Sequence, residues 1–134
     1  MTAGTTCDTS VLVPALIRWH PDHAHTRSVL GRVTALGAHV LLESYSVLTR
    51  FPAPHRFAPA DAADVLTLAT MTVALPGDDH QDLIVELSRH GIRGGAVYDA
   101  LIAATARHHD LELLTRDHRA RAAYDLIGVR YTQI

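Results

Sequence analysis

The 134-residue chain is 48% hydrophobic and 19% charged, with a formal net charge of −2, a balance that builds a core and excludes a disordered chain. Its length suits one domain over residues 1–134, and no apolar run nears the roughly 20 residues needed to span a bilayer. No secretory signal opens it, so a cytoplasmic protein without membrane contact is expected, and the lone Cys7 excludes disulfide and thiolate–zinc scaffolds.

Short β-type runs alternate with longer helical stretches, the pattern of an α/β domain. Residues 5–8 form the first expected strand, followed by a helix over 10–19 with Val11, Leu12, Ala15 and Leu16 at helical spacing. His20-Pro21-Asp22 breaks the chain before a helix over 23–36, which Gly37 ends. Residues 38–42 read as a buried strand feeding a helix over 43–50, stopped by Phe51-Pro52-Ala53-Pro54. Ala58-Pro59-Ala60-Asp61 opens a helix to about Thr70, a strand follows over 72–75, and a helix over 79–90 carries acids at its positive end. Gly91, Gly94 and Gly95 form a loop before an apolar helix over 96–109. A strand over 111–115, a short helix over 118–124 and a last strand over 128–132 complete the chain. Strands separated by helices imply right-handed crossovers, hence a three-layer α/β/α domain with a mostly parallel central sheet of about five strands.

In such a sheet, ligands sit beyond the carboxyl ends of the strands. Asp8, Glu43 and Asp117 stand at or just after expected strands. Asp99 shares a helical face with Ile102, Ala103 and Ala106, which turns it toward the core. A buried carboxylate neutralises or finds a cation, and no Arg is spaced to serve Asp99 locally. Four acids at one edge repel by roughly 4 kcal/mol per pair at about 4 Å and an effective dielectric near 20. Cations reverse that sign, and an all-oxygen site suits Mg²⁺ or Mn²⁺. Capping accounts equally for Asp8 and Asp117, and the helix dipole accounts for Glu43; Asp99 has no such structural explanation.

Four segments carry a further resemblance: Cys7-Asp8-Thr9-Ser10-Val11-Leu12, Glu43-Ser44-Tyr45-Ser46-Val47-Leu48-Thr49-Arg50, Gly94-Gly95-Ala96-Val97-Tyr98-Asp99-Ala100-Leu101-Ile102-Ala103-Ala104, and Leu113-Leu114-Thr115-Arg116-Asp117. In the order and spacing of their acids they resemble the PIN-domain ribonucleases, in particular the VapC-type toxins of bacterial type II toxin–antitoxin pairs, over nearly the whole chain. The resemblance implies a metal-dependent endoribonuclease, with Asp8 and Asp99 as direct ligands of Mg²⁺ or Mn²⁺ and Glu43 and Asp117 completing the site. The expected reaction is in-line attack of an activated water on an RNA phosphodiester. A homodimer and a cognate antitoxin that neutralises the enzyme are implied as well.

Around the acids, Thr9, Ser10 and Thr115 bring hydroxyls suited to capping or to holding a water or phosphate. Arg116 and Arg119 flank Asp117 and can meet RNA phosphates, in a span over 89–121 that holds six Arg against four acids. All twelve cationic residues are Arg, but genome base composition produces the same bias. His20, His23, His25 and His118 read better as solvated helix ends than as ligands, because imidazole suits Zn²⁺ and not hard ions. Cys7 points into the core, whereas Trp19, Phe57, Leu66 and Leu68 fit either a core or a partner face. Two other readings stay open: a non-catalytic partner-binding domain whose acids are caps, and an Asp-nucleophile phosphatase. The latter has Asp8 in place but Ser10 where a second Asp is needed. No Gly-rich phosphate loop, G-x-S-x-G elbow or H-E-x-x-H is present.

Overall fold

Strand β4 (Leu111–Thr115) lies between β1 (Gly4–Cys7) and β5 (Tyr131–Gln133), all parallel, with Cys7 opposite Leu114 and Thr115 opposite Gln133. These contacts come from a computed structural model, which describes residues 4–68 and 71–134. Strands β2 (Ala35–Gly37) and β3 (Met71–Val73) pair separately, also in parallel. Thr34 closes the gap between the two sheets: its N–H donates to the Thr5 carbonyl at 2.8 Å, and its hydroxyl accepts from the Thr5 N–H at 2.9 Å. The expected α/β/α class with parallel pairing forms, but its sheet has three hydrogen-bonded strands with β2 and β3 paired apart beside β1, in place of one sheet of about five.

Seven helices are present among the described residues: α1 (Thr9–Leu16), α2 (His23–Leu30), α3 (Ala38–Arg50), α4 (Pro59–Leu66), α5 (Asp79–His90), α6 (Ala96–His108) and α7 (Arg121–Ile127). None is long and apolar enough to cross a membrane. The sheet and the inner faces of α1, α5, α6 and α7 share one core in which Leu113, Leu114, Val11 and Ala103 are fully buried. A smaller cluster of Val13, Ile17, Leu48 and Ala62 seals α1 against α3 and α4.

Four boundaries differ from the sequence expectation, each for a local reason. The strand expected over 38–42 is the first part of α3, because Val40, Ser44 and Leu48 form one buried helical stripe while Leu42 is exposed. The strand itself lies just upstream in β2, so Gly37 ends a strand and begins α3 rather than closing α2. Helix α2 stops at Leu30, with Gly31 at its cap. The turn opened by Asp117 delays α7 to Arg121, and Gly128, with φ of 83°, caps that helix instead of starting β5. The expected N-terminal residues 1–3 of the domain, and the expected end of the fourth helix at residues 69–70, lie outside the described residues.

The Thr34 stitch yields a direct test. Thr34→Val keeps the shape but leaves the Thr5 N–H without its acceptor, and is expected to cost about 1 kcal/mol in urea unfolding.

Candidate active site

Parallel pairing places the first two acids. Because Cys7 sits opposite Leu114, the next residues, Asp8 and Thr115, are brought side by side at the carboxyl edge of β1 and β4. Asp8 is only 3% exposed, and both of its carboxylate oxygens accept hydrogen bonds. Its Oδ1 takes the N–H and the hydroxyl of Ser10, the former at 3.1 Å, so Asp8 also caps α1. Its Oδ2 takes the Thr115 hydroxyl and, at 2.7 Å, the phenol of Tyr124. The two hydroxyls in turn accept from backbone: Arg116 N–H to Ser10 Oγ at 2.8 Å and Asp117 N–H to Thr115 Oγ1 at 3.0 Å. Burial pushes the Asp8 carboxyl up from its usual range, while its four donors pull the other way.

A single cavity of about 640 Å³ is lined by Asp8, Glu43, Asp99 and Asp117 together, along with Thr9, Ser10, Arg116 and Tyr124. Glu43 comes from the middle of α3, one turn after His39, whose Nε2 lies 3.1 Å from Glu43 Oε2. The His39 ring stacks on Tyr98 at 5.2 Å, tying α3 to the first turn of α6, where Asp99 follows. Asp117 Oδ1 accepts the N–H groups of Arg119 and Ala120 at 2.9 and 3.3 Å, the capping role open to it from sequence. Asp99 is half-buried at the cavity and does not face the core. Desolvation, then the charges of Asp117, Glu43 and Asp8, raise it from 3.8 to about 6, and Arg119 acts weakly against them. The tertiary fold therefore brings to Asp99 a cation that local spacing does not provide.

Arg116 owes its place to a proline. Pro14 sits inside α1 and has no N–H for the Ser10 carbonyl, which instead accepts from Arg116 Nη1 at 3.1 Å. The other end of that guanidinium pairs with Asp22. Thr9 Oγ1 is buried at the cavity without a hydrogen-bond partner among the described residues. His23 bonds the Pro14 carbonyl through Nδ1, His20 accepts from Asp22 N–H, and His118 meets the Gln133 amide, so these rings serve loops. Cys7 is fully buried, and its thiol is pushed far up by desolvation, which leaves no thiol nucleophile. Leu66 and Phe57 pack on the core edge, whereas Trp19 and Leu68 stay exposed. Tyr124, His39 and Tyr98 are site neighbours that the sequence reading omits; only His39 carries a local signal, its i,i+4 spacing to Glu43.

The donor chemistry fits a hard divalent ion: four carboxylates on one cavity, a buried hydroxyl with no partner, and a carboxyl whose pKa registers the other three. Among the described residues, however, no three His, Cys, Asp or Glu side chains stand close enough together to make a ready cage.

The family model described as PIN domain matches residues 6–126 of this chain. Ribonuclease VapC27 of Mycobacterium tuberculosis is 45% identical over 126 residues, covering 91% of this chain and 90% of the relative. Among solved structures, the Mycobacterium tuberculosis sarcin–ricin-loop-cleaving toxin VapC20 superposes with a TM-score of 0.70 at 21% identity, over 90% of this chain and 95% of that one. DNA-bound VapBC from Salmonella typhimurium gives 0.67 at 21% identity, over 98% of each chain.

Two substitutions test the electrostatics. Since the folded chain holds the Asp99 proton more tightly than the unfolded one, stability falls as pH rises from about 4 to about 6 and stays lowered above that. Asp99→Asn in chelator is thus expected to unfold about 1 kcal/mol harder at pH 7, after discounting for solvent screening, with the gain vanishing near pH 4. Tyr124→Phe removes one of the four Asp8 donors and is expected to cost about 2 kcal/mol in the same assay.

Proposed function

The chain belongs to the PIN-domain family, and on that footing we propose that it is a metal-dependent endoribonuclease of the VapC type, a toxin neutralised by a cognate antitoxin. The observation that carries this reading is the meeting of Asp8, Glu43, Asp99 and Asp117, from four separate stretches of chain, on one cavity. Its likeness to a relative named as a ribonuclease, at 45% identity over nearly the full length of both, supports the same reading.

Asp8 and Asp99, with Glu43 and Asp117, would hold Mg²⁺ or Mn²⁺. When bound, the ion supplies positive charge to the phosphodiester and lowers the pKa of water. The chain's own residues do the rest. The ring of Ser10, Thr115 and Tyr124 fixes the plane of the Asp8 carboxylate, so its lone pairs point in set directions. Asp99, raised to about 6 by burial and by the three other carboxylates, is mostly ionised at neutral pH and so presents negative charge to a cation at the cavity. Arg116 and Arg119 provide fixed positive charge for phosphate oxygens beside an otherwise acidic surface.

A homodimer and a protein inhibitor belong to the same proposal, as does a cytoplasmic location with the RNA. The Asp-nucleophile alternative loses ground here, since Ser10 stands where such an enzyme needs a second Asp and the PIN model matches residues 6–126.

The test is cleavage of a mixed cellular RNA pool by the purified protein with Mg²⁺, with Mn²⁺ and with chelator. Discrete cuts are expected only with metal, and Asp99→Asn is expected to lose at least about a hundredfold in rate. Asp99 is the better target than Asp8, whose removal also uncaps α1. No cleavage under any condition, together with no metal binding by calorimetry, would leave a non-catalytic partner domain.

A further inference from the structure

The cavity that holds the acids does not end at them. Its wall continues through Val13, Pro14 and Ile17 to Trp19, His20 and Phe51. Asp8 caps the N-terminus of α1 and Trp19 lies just past its C-terminus, and an eight-residue helix spans about 12 Å. The acids and the aromatic wall are therefore separated by a distance that a short stretch of single-stranded RNA backbone bridges.

Trp19 is 48% exposed although it carries the largest apolar side chain in the molecule. It is also held in place. His55 lies against its ring at 4.3 Å between centroids, and Phe51 meets it edge-on at 5.6 Å. His55 is not part of the cavity lining, so it clamps the indole from outside while the ring borders the cavity. Beside it, His20 Nδ1 accepts the Asp22 N–H at 3.0 Å, which in the neutral ring leaves the proton on Nε2 as a donor. Arg116 also lines the cavity, its guanidinium held between the Ser10 carbonyl and Asp22.

A flat, pre-ordered ring with one neighbouring donor and a fixed guanidinium matches a nucleobase with its phosphate better than an aliphatic peptide segment. Building on the ribonuclease reading above, we propose that Trp19 is a stacking platform for an unpaired base of the RNA substrate close to the bond that is cut, with His20 reading the base edge. A base inside a duplex is already stacked on its neighbours and cannot reach this wall, so the site selects single-stranded or looped RNA.

Trp19 is the only tryptophan of the chain, which makes its fluorescence specific. The intact protein in chelator is titrated with a short oligoadenylate, with its abasic ribose-phosphate counterpart and with an RNA duplex, and cleavage of single-stranded RNA is followed in parallel with Mg²⁺ or Mn²⁺. Saturable quenching by the oligoadenylate alone is expected. Trp19→Ala should weaken binding and raise KM by about ten- to a hundredfold with a smaller change in kcat, and Trp19→Phe should restore most of the affinity. Equal quenching by abasic RNA, or normal KM in Trp19→Ala, overturns the platform while the nuclease stands. Base-dependent quenching without metal-dependent cleavage overturns the nuclease reading and keeps the platform. Fluorescence that ignores RNA and responds only to a bound protein inhibitor assigns the wall to that partner and overturns the proposal.

Discussion

The site depends on holding a nearly dry carboxylate beside three others. Desolvation opposes ionisation of Asp8, desolvation and like charge together oppose that of Asp99, and neither acid has a charged partner beside it strong enough to cancel that. What stabilises the arrangement is a set of neutral donors delivered by the sheet register. Cys7 opposite Leu114 sets Asp8 against Thr115, and the backbone N–H groups of Arg116 and Asp117 orient the two hydroxyls that hold it. Neutral donors limit the cost of burial without neutralising the charge, so the negative potential remains available to a cation.

Rigid packing is what makes that register reliable. Leu113 and Leu114 of β4 and Val11 of α1 are wholly buried, so sliding β1 along β4 would expose them and separate Asp8 from Thr115 together. Glu43 and Asp99 are carried by helices on the other side of the cavity, which the His39–Tyr98 stack joins. The core therefore sets the spacing of the charges, and a stable fold bears a locally unfavourable site, as functional sites commonly do.

Pro14 shows how one local defect serves the site at long range. Its missing N–H opens a carbonyl in the first turn of α1, and Arg116, over a hundred residues away in sequence, fills it. Together with the Arg116 N–H on Ser10 Oγ and the pair with Asp22, that contact holds a guanidinium at the acidic cavity. A helix without the proline would satisfy its own carbonyl and leave the Arg116 guanidinium only its pair with Asp22.

From sequence alone, the alternation of strand and helix, the parallel sheet and the four acids in chain order can be read, because period and turn chemistry are local properties. Residues 38–42 mislead because an apolar run beside Gly37 suits a strand as well as a helix; only the exposure of Leu42 beside buried Val40 decides it. Asp99 was legible as an acid out of place, but the residues that answer it, Asp117, Glu43 and Arg119, become neighbours only when β4, α3 and α6 meet. Tyr124 on Asp8, 116 residues apart, and the clamp of His55 on Trp19 carry no sequence period at all. Local pattern determined which elements form and which side chains are chemically unusual; the packing of distant elements alone decided which of them share a cavity, since that depends on register and core complementarity that no single segment encodes.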